Sequence, residues 1–156
     1  MTIDIRDYIL STDNVRAACG LSADELTDEE LGLTMYSSSL ELALDPLDVP
    51  GYNPIKDEFL DLDEDDDAGL YNQVSLYSIY QVAVEACLSL SIKAPKSLSD
   101  SKVSYSRWSD KSAFENTIKA LKLKLGQLKF DLEGTTAEAL PLLTAVKPDY
   151  DPVTGA

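Results

Sequence analysis

The chain has 156 residues and a formal net charge of −15, with 28 acidic side chains, 13 basic ones and no histidine. The length suits one domain, and a hydrophobic share of 44% is that of a globular chain rather than a disordered or membrane-buried one. Without histidine, the commonest general base, imidazole metal ligands and the Ser–His and Cys–His nucleophile pairs are all excluded.

Ser11 or Thr12 can cap a short helix with Val15, Ala18 and Cys19 on its apolar side and Gly20 as its stop. Two capping boxes follow in "LSADELTDEEL", Ser22 with Glu25 and Thr27 with Glu30. Asp28, Glu29 and Glu30 suit the positive end of a helix that should run to about Leu44, because Pro46 cannot continue it. Its apolar positions include Leu31, Met35, Leu40 and Leu44.

Residues 45–67 read as irregular. "DPLDVPGYNP" holds three prolines and a Pro-Gly turn signal. Asp61, Asp63 and Asp65 are spaced like the start of a calcium loop. However, Asp66 stands where glycine is needed and Asn72 where glutamate is needed. A solvated acidic loop leading into the next helix is the better reading.

That helix is expected over 68–90. Leu70, Val74, Tyr77, Val84 and Leu88 mark one side, and Ile79, Tyr80, Ala83 and Cys87 widen it. An apolar surface that broad belongs at the centre of a core or interface. After a polar connection, Phe114, Ile118, Leu121, Leu125, Leu128 and Leu132 recur in steps of four and three, a heptad-like seam that Gly134 ends. Lys111, Lys119, Lys122, Lys124 and Lys129 take its other faces. Leu123 and Phe130 lie off the seam and imply a second contact. The sequence divides into a helical domain over 1–134 and a C-terminal arm over 135–156, where Pro141, Pro148 and Pro152 oppose helix. The fold class is all-α: a small helical bundle with two long antiparallel helices, a long acidic loop and an extended arm.

Charge is unevenly placed. Residues 1–68 hold 19 acids and 3 bases, and residues 69–156 hold 9 acids and 10 bases. The acidic half disfavours binding to a nucleic-acid backbone and suits a basic protein surface or simple solubility. Cys19 and Cys87, the only cysteines, read as buried small hydrophobes. No phosphate-binding glycine loop, zinc spacing or nucleophile elbow is present, so neither an enzyme nor a cofactor is expected. "MTIDIRDYIL" lacks the basic-then-apolar order of a secretion signal, and no apolar run approaches the ~20 residues of a membrane span. The expectation is a protein made in the cytoplasm.

The order of "VRAACGLSADELTDEEL", a long helix, the connection "SDSKVSYSRWSD" and a last amphipathic helix resembles the head–tail adaptor (connector, or head-completion) proteins of tailed bacteriophages, over about residues 12–132. The resemblance implies a virion structural protein at the head–tail junction. In such a protein a helical bundle forms a homo-oligomeric ring, of twelve subunits by that likeness, between the portal protein and a tail or head-completion protein. DNA would pass through the channel without specific binding. A ring needs lateral contacts, whose centres favour Trp, Tyr and Arg. Val103, Tyr105, Arg107 and Trp108 in the connection, and Tyr150 and Val153 in the arm, are the expected subunit or portal interface. The connection could instead fold Trp108 back as a lid on its own bundle. Two other readings compete: an acidic binding module, such as a DNA mimic or inhibitor of a basic partner, and a metal-dependent hydrolase built on Asp61–Asp67.

Overall fold

The computed structural model describes residues 3–93, 99–100, 103–104 and 111–134. In chain order these form α1 (Arg6–Ile9), α2 (Thr12–Cys19), α3 (Asp28–Leu31), α4 (Thr34–Leu44), α5 (Ile55–Glu58), a 3-10 turn (Phe59–Asp61), α6 (Ala68–Lys93), strands β1 (Ser99–Asp100) and β2 (Val103–Ser104), and α7 (Lys111–Leu132). The molecule is mostly helical, as its all-α patterning implies; β1 and β2 pair antiparallel in a two-residue ribbon. Helices α1, α2, α4 and α7 all pack on α6, and α7 does so most extensively. One hydrophobic core runs from Ile5 to Leu132. The arm at 135–156 lies outside the described residues.

The central place of α6 follows from its composition. Val74, Tyr77, Ile79, Val82, Ala83, Val84, Ala86, Cys87 and Leu90 are all buried, so apolar side chains cover most of its circumference. Two buried serines interrupt them. Ser78 returns its hydroxyl to the Val74 carbonyl at 2.8 Å, the usual way a mid-helix serine satisfies itself. The seam of α7 faces this surface: Leu121 and Leu132 are buried, and Phe114, Ile118, Leu125 and Leu128 pack partly against the core.

Helix α2 starts and stops where its sequence dictates. The Ser11 hydroxyl accepts the Asp13 N–H, and Gly20 adopts a left-handed conformation (φ 69°). At Ser22 and Glu25 the Glu25 carboxylate accepts the Ser22 N–H at 2.8 Å and the Glu25 N–H goes to the Ser22 carbonyl at 3.1 Å, so the pair closes a single turn rather than a helix. The box at Thr27 and Glu30 caps α3 on both sides. The single helix expected from Asp28 to Leu44 is broken at Gly32–Leu33, where Leu33 is extended (ψ 138°). The restart changes the phase: Tyr36, Leu40 and Leu44 face the core, whereas Met35 is exposed.

The segment read as irregular is tied down by its apolar residues. Ile55 and Phe59 are fully buried, and Phe59 stacks between Tyr8 and Tyr71 at 4.7 and 4.9 Å. The Tyr8 hydroxyl donates to the Lys56 carbonyl at 2.8 Å. Burial, together with Asp7, Asp57 and Glu41, raises the Tyr8 phenol above its usual value and keeps it a donor. Gly134 ends α7 at φ 55°, with Pro50 so close that a Cβ there would sit 2.9 Å from its ring.

Arg16 joins α2 to the turn before α3. Its Nε donates to the Leu26 carbonyl at 2.7 Å, and its guanidinium meets Asp13 at 2.8 Å and also Asp28. The Thr12 hydroxyl and Arg16 hold the Asp28 carboxyl below the usual carboxylate range. Arg16→Met should cost about 2 kcal/mol, because a buried carbonyl loses a charged donor, while the freed carboxylates stay exposed and recover water. The depressed Asp28 value adds a pH signature. Its stabilisation is complete above the unfolded value near ~4 and disappears as pH falls through the lower folded value. Urea titration of parent and Arg16→Met across that acid range should show the gap narrowing as Asp28 protonates.

Candidate functional site: two exposed ridges and a groove

Interfaces are built from apolar side chains that a lone chain leaves in water. Two helices carry such residues in register. On α4, Met35 and Leu42 are 48% and 76% exposed, two turns apart on the face opposite Tyr36, Leu40 and Leu44. On α7, Leu123 and Phe130 are 69% and 51% exposed, again two turns apart and off the inward seam. Both helices pack on α6 and make no extensive contact with each other.

The two ridges differ in charge. The α4 ridge belongs to the acidic half of the chain, between the Asp28–Glu30 run and Asp45. The α7 ridge is flanked by exposed Lys119, Lys122 and Lys124. Lys124 also lies 5.0 Å over the Tyr80 ring, a cation–π contact that holds its ammonium against α6.

Beside this contact lies a groove of about 620 Å³ between α2, α6 and α7, bordered by Leu10, Asn14, Ala18, Ser75, Tyr80 and Lys124. Leu10 turns the chain from α1 into α2 at a φ of 61°, a value uncommon outside glycine. The Ser75 hydroxyl is the one buried side-chain polar atom without a hydrogen-bond partner among the described residues.

The acidic loop is organised by its own backbone. The Asp63 carboxylate accepts the N–H groups of Asp65 and Asp66 at 2.8 and 3.2 Å, and Asp67 accepts the Tyr52 hydroxyl at 3.1 Å. Among the described residues no group of three or more acids and cysteines is arranged to hold a metal ion, and no helix is long and apolar enough to cross a membrane.

Of the interface residues expected from sequence, Val103 lies in β2, opposite Asp100. Tyr105, Arg107, Trp108, Tyr150 and Val153 lie outside the described residues. Leu123 and Phe130 are the off-seam positions already suspected of a second contact. The α4 ridge escapes a sequence reading, because a continuous helix would have turned Met35 inward. No family model matches the chain, and no curated protein or solved structure shows significant similarity to it.

Proposed function

We propose that the chain is a head–tail adaptor, a subunit of a ring that joins the portal of a tailed bacteriophage to its tail machinery. The observation that carries this reading is the pair of exposed ridges on separate helices, one in acidic and one in basic surroundings. Different patches that complement one another make a head-to-tail contact, and such a contact closes into a ring when the rotation fits. In this reading α6 and α7 are an antiparallel pair. Lys124 meets Tyr80, while Glu133, just past the end of α7, adds to burial in raising the Tyr77 phenol, earlier on α6. The connection with Tyr105, Arg107 and Trp108 and the arm with Tyr150 and Val153 extend the interface toward the neighbour or the portal. The role has no catalytic step and needs no cofactor. A channel wall formed by the acidic half would repel passing DNA and limit sticking.

The exposed carboxylates of the 61–66 loop favour a second reading, a module that docks on a basic partner or mimics DNA. Light-scattering mass measurement of the protein, alone and mixed with portal rings, separates the two. An adaptor forms rings or joins the portal; a DNA mimic stays small and competes with DNA for a basic protein. Trp108→Ala should keep the helical circular dichroism and weaken ring or portal association by roughly 2 kcal/mol, the loss typical of a central aromatic. Unfolding of that variant would favour the lid instead.

A further inference from the structure

Cys19 is the last residue of α2, and Cys87 lies on α6; both are buried, and neither is in a disulfide. The Cys19 thiol donates to the Ala83 carbonyl at 3.4 Å. Cys87 follows Ala83 by one turn, on the same face of α6, so the carbonyl that accepts the Cys19 thiol brings Cys19 beside Cys87. The chain's only two sulfhydryls, 68 positions apart in sequence, thus meet inside the core.

We propose that Cys19 and Cys87 form an internal redox cross-link site, in which a small peroxide oxidant joins α2 to α6 through a disulfide. Closing the two neighbouring sulfurs to the ~2.05 Å of a disulfide takes a local shift of one side chain's backbone. Cys19 is well placed to make it, because it sits at a helix end beside the left-handed Gly20 rather than inside a rigid helix. The thiols are also unequal. The neighbouring Cys87, and then burial, push the Cys19 value up, whereas the neighbouring Cys19 pulls the Cys87 value down. On that direction Cys87 is assigned as the first nucleophile. Its thiolate attacks a peroxide oxygen, the O–O bond breaks, and the departing hydroxide takes up the thiol proton as water. The Cys19 sulfur then attacks the resulting sulfenic sulfur, and a second water leaves with the Cys19 proton. Two thiols are oxidised and one peroxide is reduced to two waters.

The cross-link would close a loop of nearly half the chain and fasten α2, the short helix that carries Arg16, to the central α6. A protein made in a reducing cytoplasm and carried out in a particle would acquire it after release. Only that timing rests on the adaptor reading; the chemistry belongs to the isolated chain.

The test treats the folded protein with millimolar hydrogen peroxide, then measures intact mass, thiol content in denaturant and a non-reduced peptide map. The expected result is loss of two hydrogens, no titratable thiol and one linked peptide pair containing Cys19 and Cys87, all reversed by dithiothreitol. The melting temperature should rise by on the order of 10 °C, as for a long closed loop. Cys19→Ser and Cys87→Ser should show neither the linkage nor the rise. Oxygen addition without linkage, disulfide-linked dimers, or two thiols surviving an exposure that cross-links the urea-unfolded chain would each overturn the proposal.

Discussion

Leu121→Asp is expected to cost about 4 kcal/mol and to lower the melting temperature by roughly 10 °C or more. Leu121 is 3% exposed and borders the groove alongside Ile79 and Tyr80 of α6. Removing the buried side chain forfeits about 2 kcal/mol of transfer energy, and the incoming carboxylate must enter the core unpaired or open the helix pair. Lys124, held over Tyr80 one turn further along α7, offsets a part. Leu125 is half-buried, so Leu125→Asp should cost about half as much, its carboxylate reaching water. For a domain stable by ~5–15 kcal/mol, the first change removes a large fraction of the total. Urea melts followed by circular dichroism measure both. Equal midpoints for Leu121→Asp and the parent would show that α7 does not pack on α6 in solution.

What the sequence discloses depends on how local the cause is. The seam of α7 is legible because six apolar residues repeat over nearly three heptads and the helix needs no information from elsewhere to choose its face. The ends of α2 are legible because Ser11 and Gly20 act on backbone within a few residues. Helices α1 and α5 are only four residues each, too short to form without tertiary support. They exist because Ile5, Tyr8, Ile9, Ile55 and Phe59 are drawn into the core, a cause that no local pattern announces. Arg16 is hidden for the same reason, since its principal acceptor is a carbonyl ten residues further on. The break at Gly32 had the widest consequence. Read as one helix, Leu31 and Met35 share a face; with the restart after Leu33 the inward position passes to Tyr36, and Met35 joins Leu42 outside. Half of the candidate interface was thus lost to a phase shift of one residue. The other half, Leu123 and Phe130, was visible because α7 is unbroken and its surplus apolar residues stand out against the lysines. The meeting of Cys19 and Cys87 is a property of how α2 crosses α6, which spacing alone does not encode.

On the head-to-tail adaptor reading, Leu123→Glu should leave the monomer intact and abolish the proposed ring. The residue is exposed on α7, so its replacement is expected to change stability by no more than ~0.5 kcal/mol, and a glutamate among Lys119, Lys122 and Lys124 even relieves local repulsion. In a head-to-tail ring the same side chain would meet the acidic surroundings of Met35 and Leu42 on the next subunit. There the change removes an apolar anchor and opposes like charges, a loss of about 2 kcal/mol or more per contact, or roughly 30-fold in affinity. The loss recurs at every junction, so closed rings should vanish even at concentrations where the parent is fully assembled. The reciprocal change Leu42→Lys should weaken assembly alone, because it sets a lysine against the α7 lysines, and restore it when combined with Leu123→Glu. That rescue separates a head-to-tail contact from a symmetric one, in which α7 would face α7 and a change on α4 could not compensate. Parental association should also weaken with added salt, as screening reduces the attraction between the acidic half and α7. Sedimentation of the four combinations at two ionic strengths provides the measurement. Rings of parental size from Leu123→Glu would place the subunit contact elsewhere on the molecule.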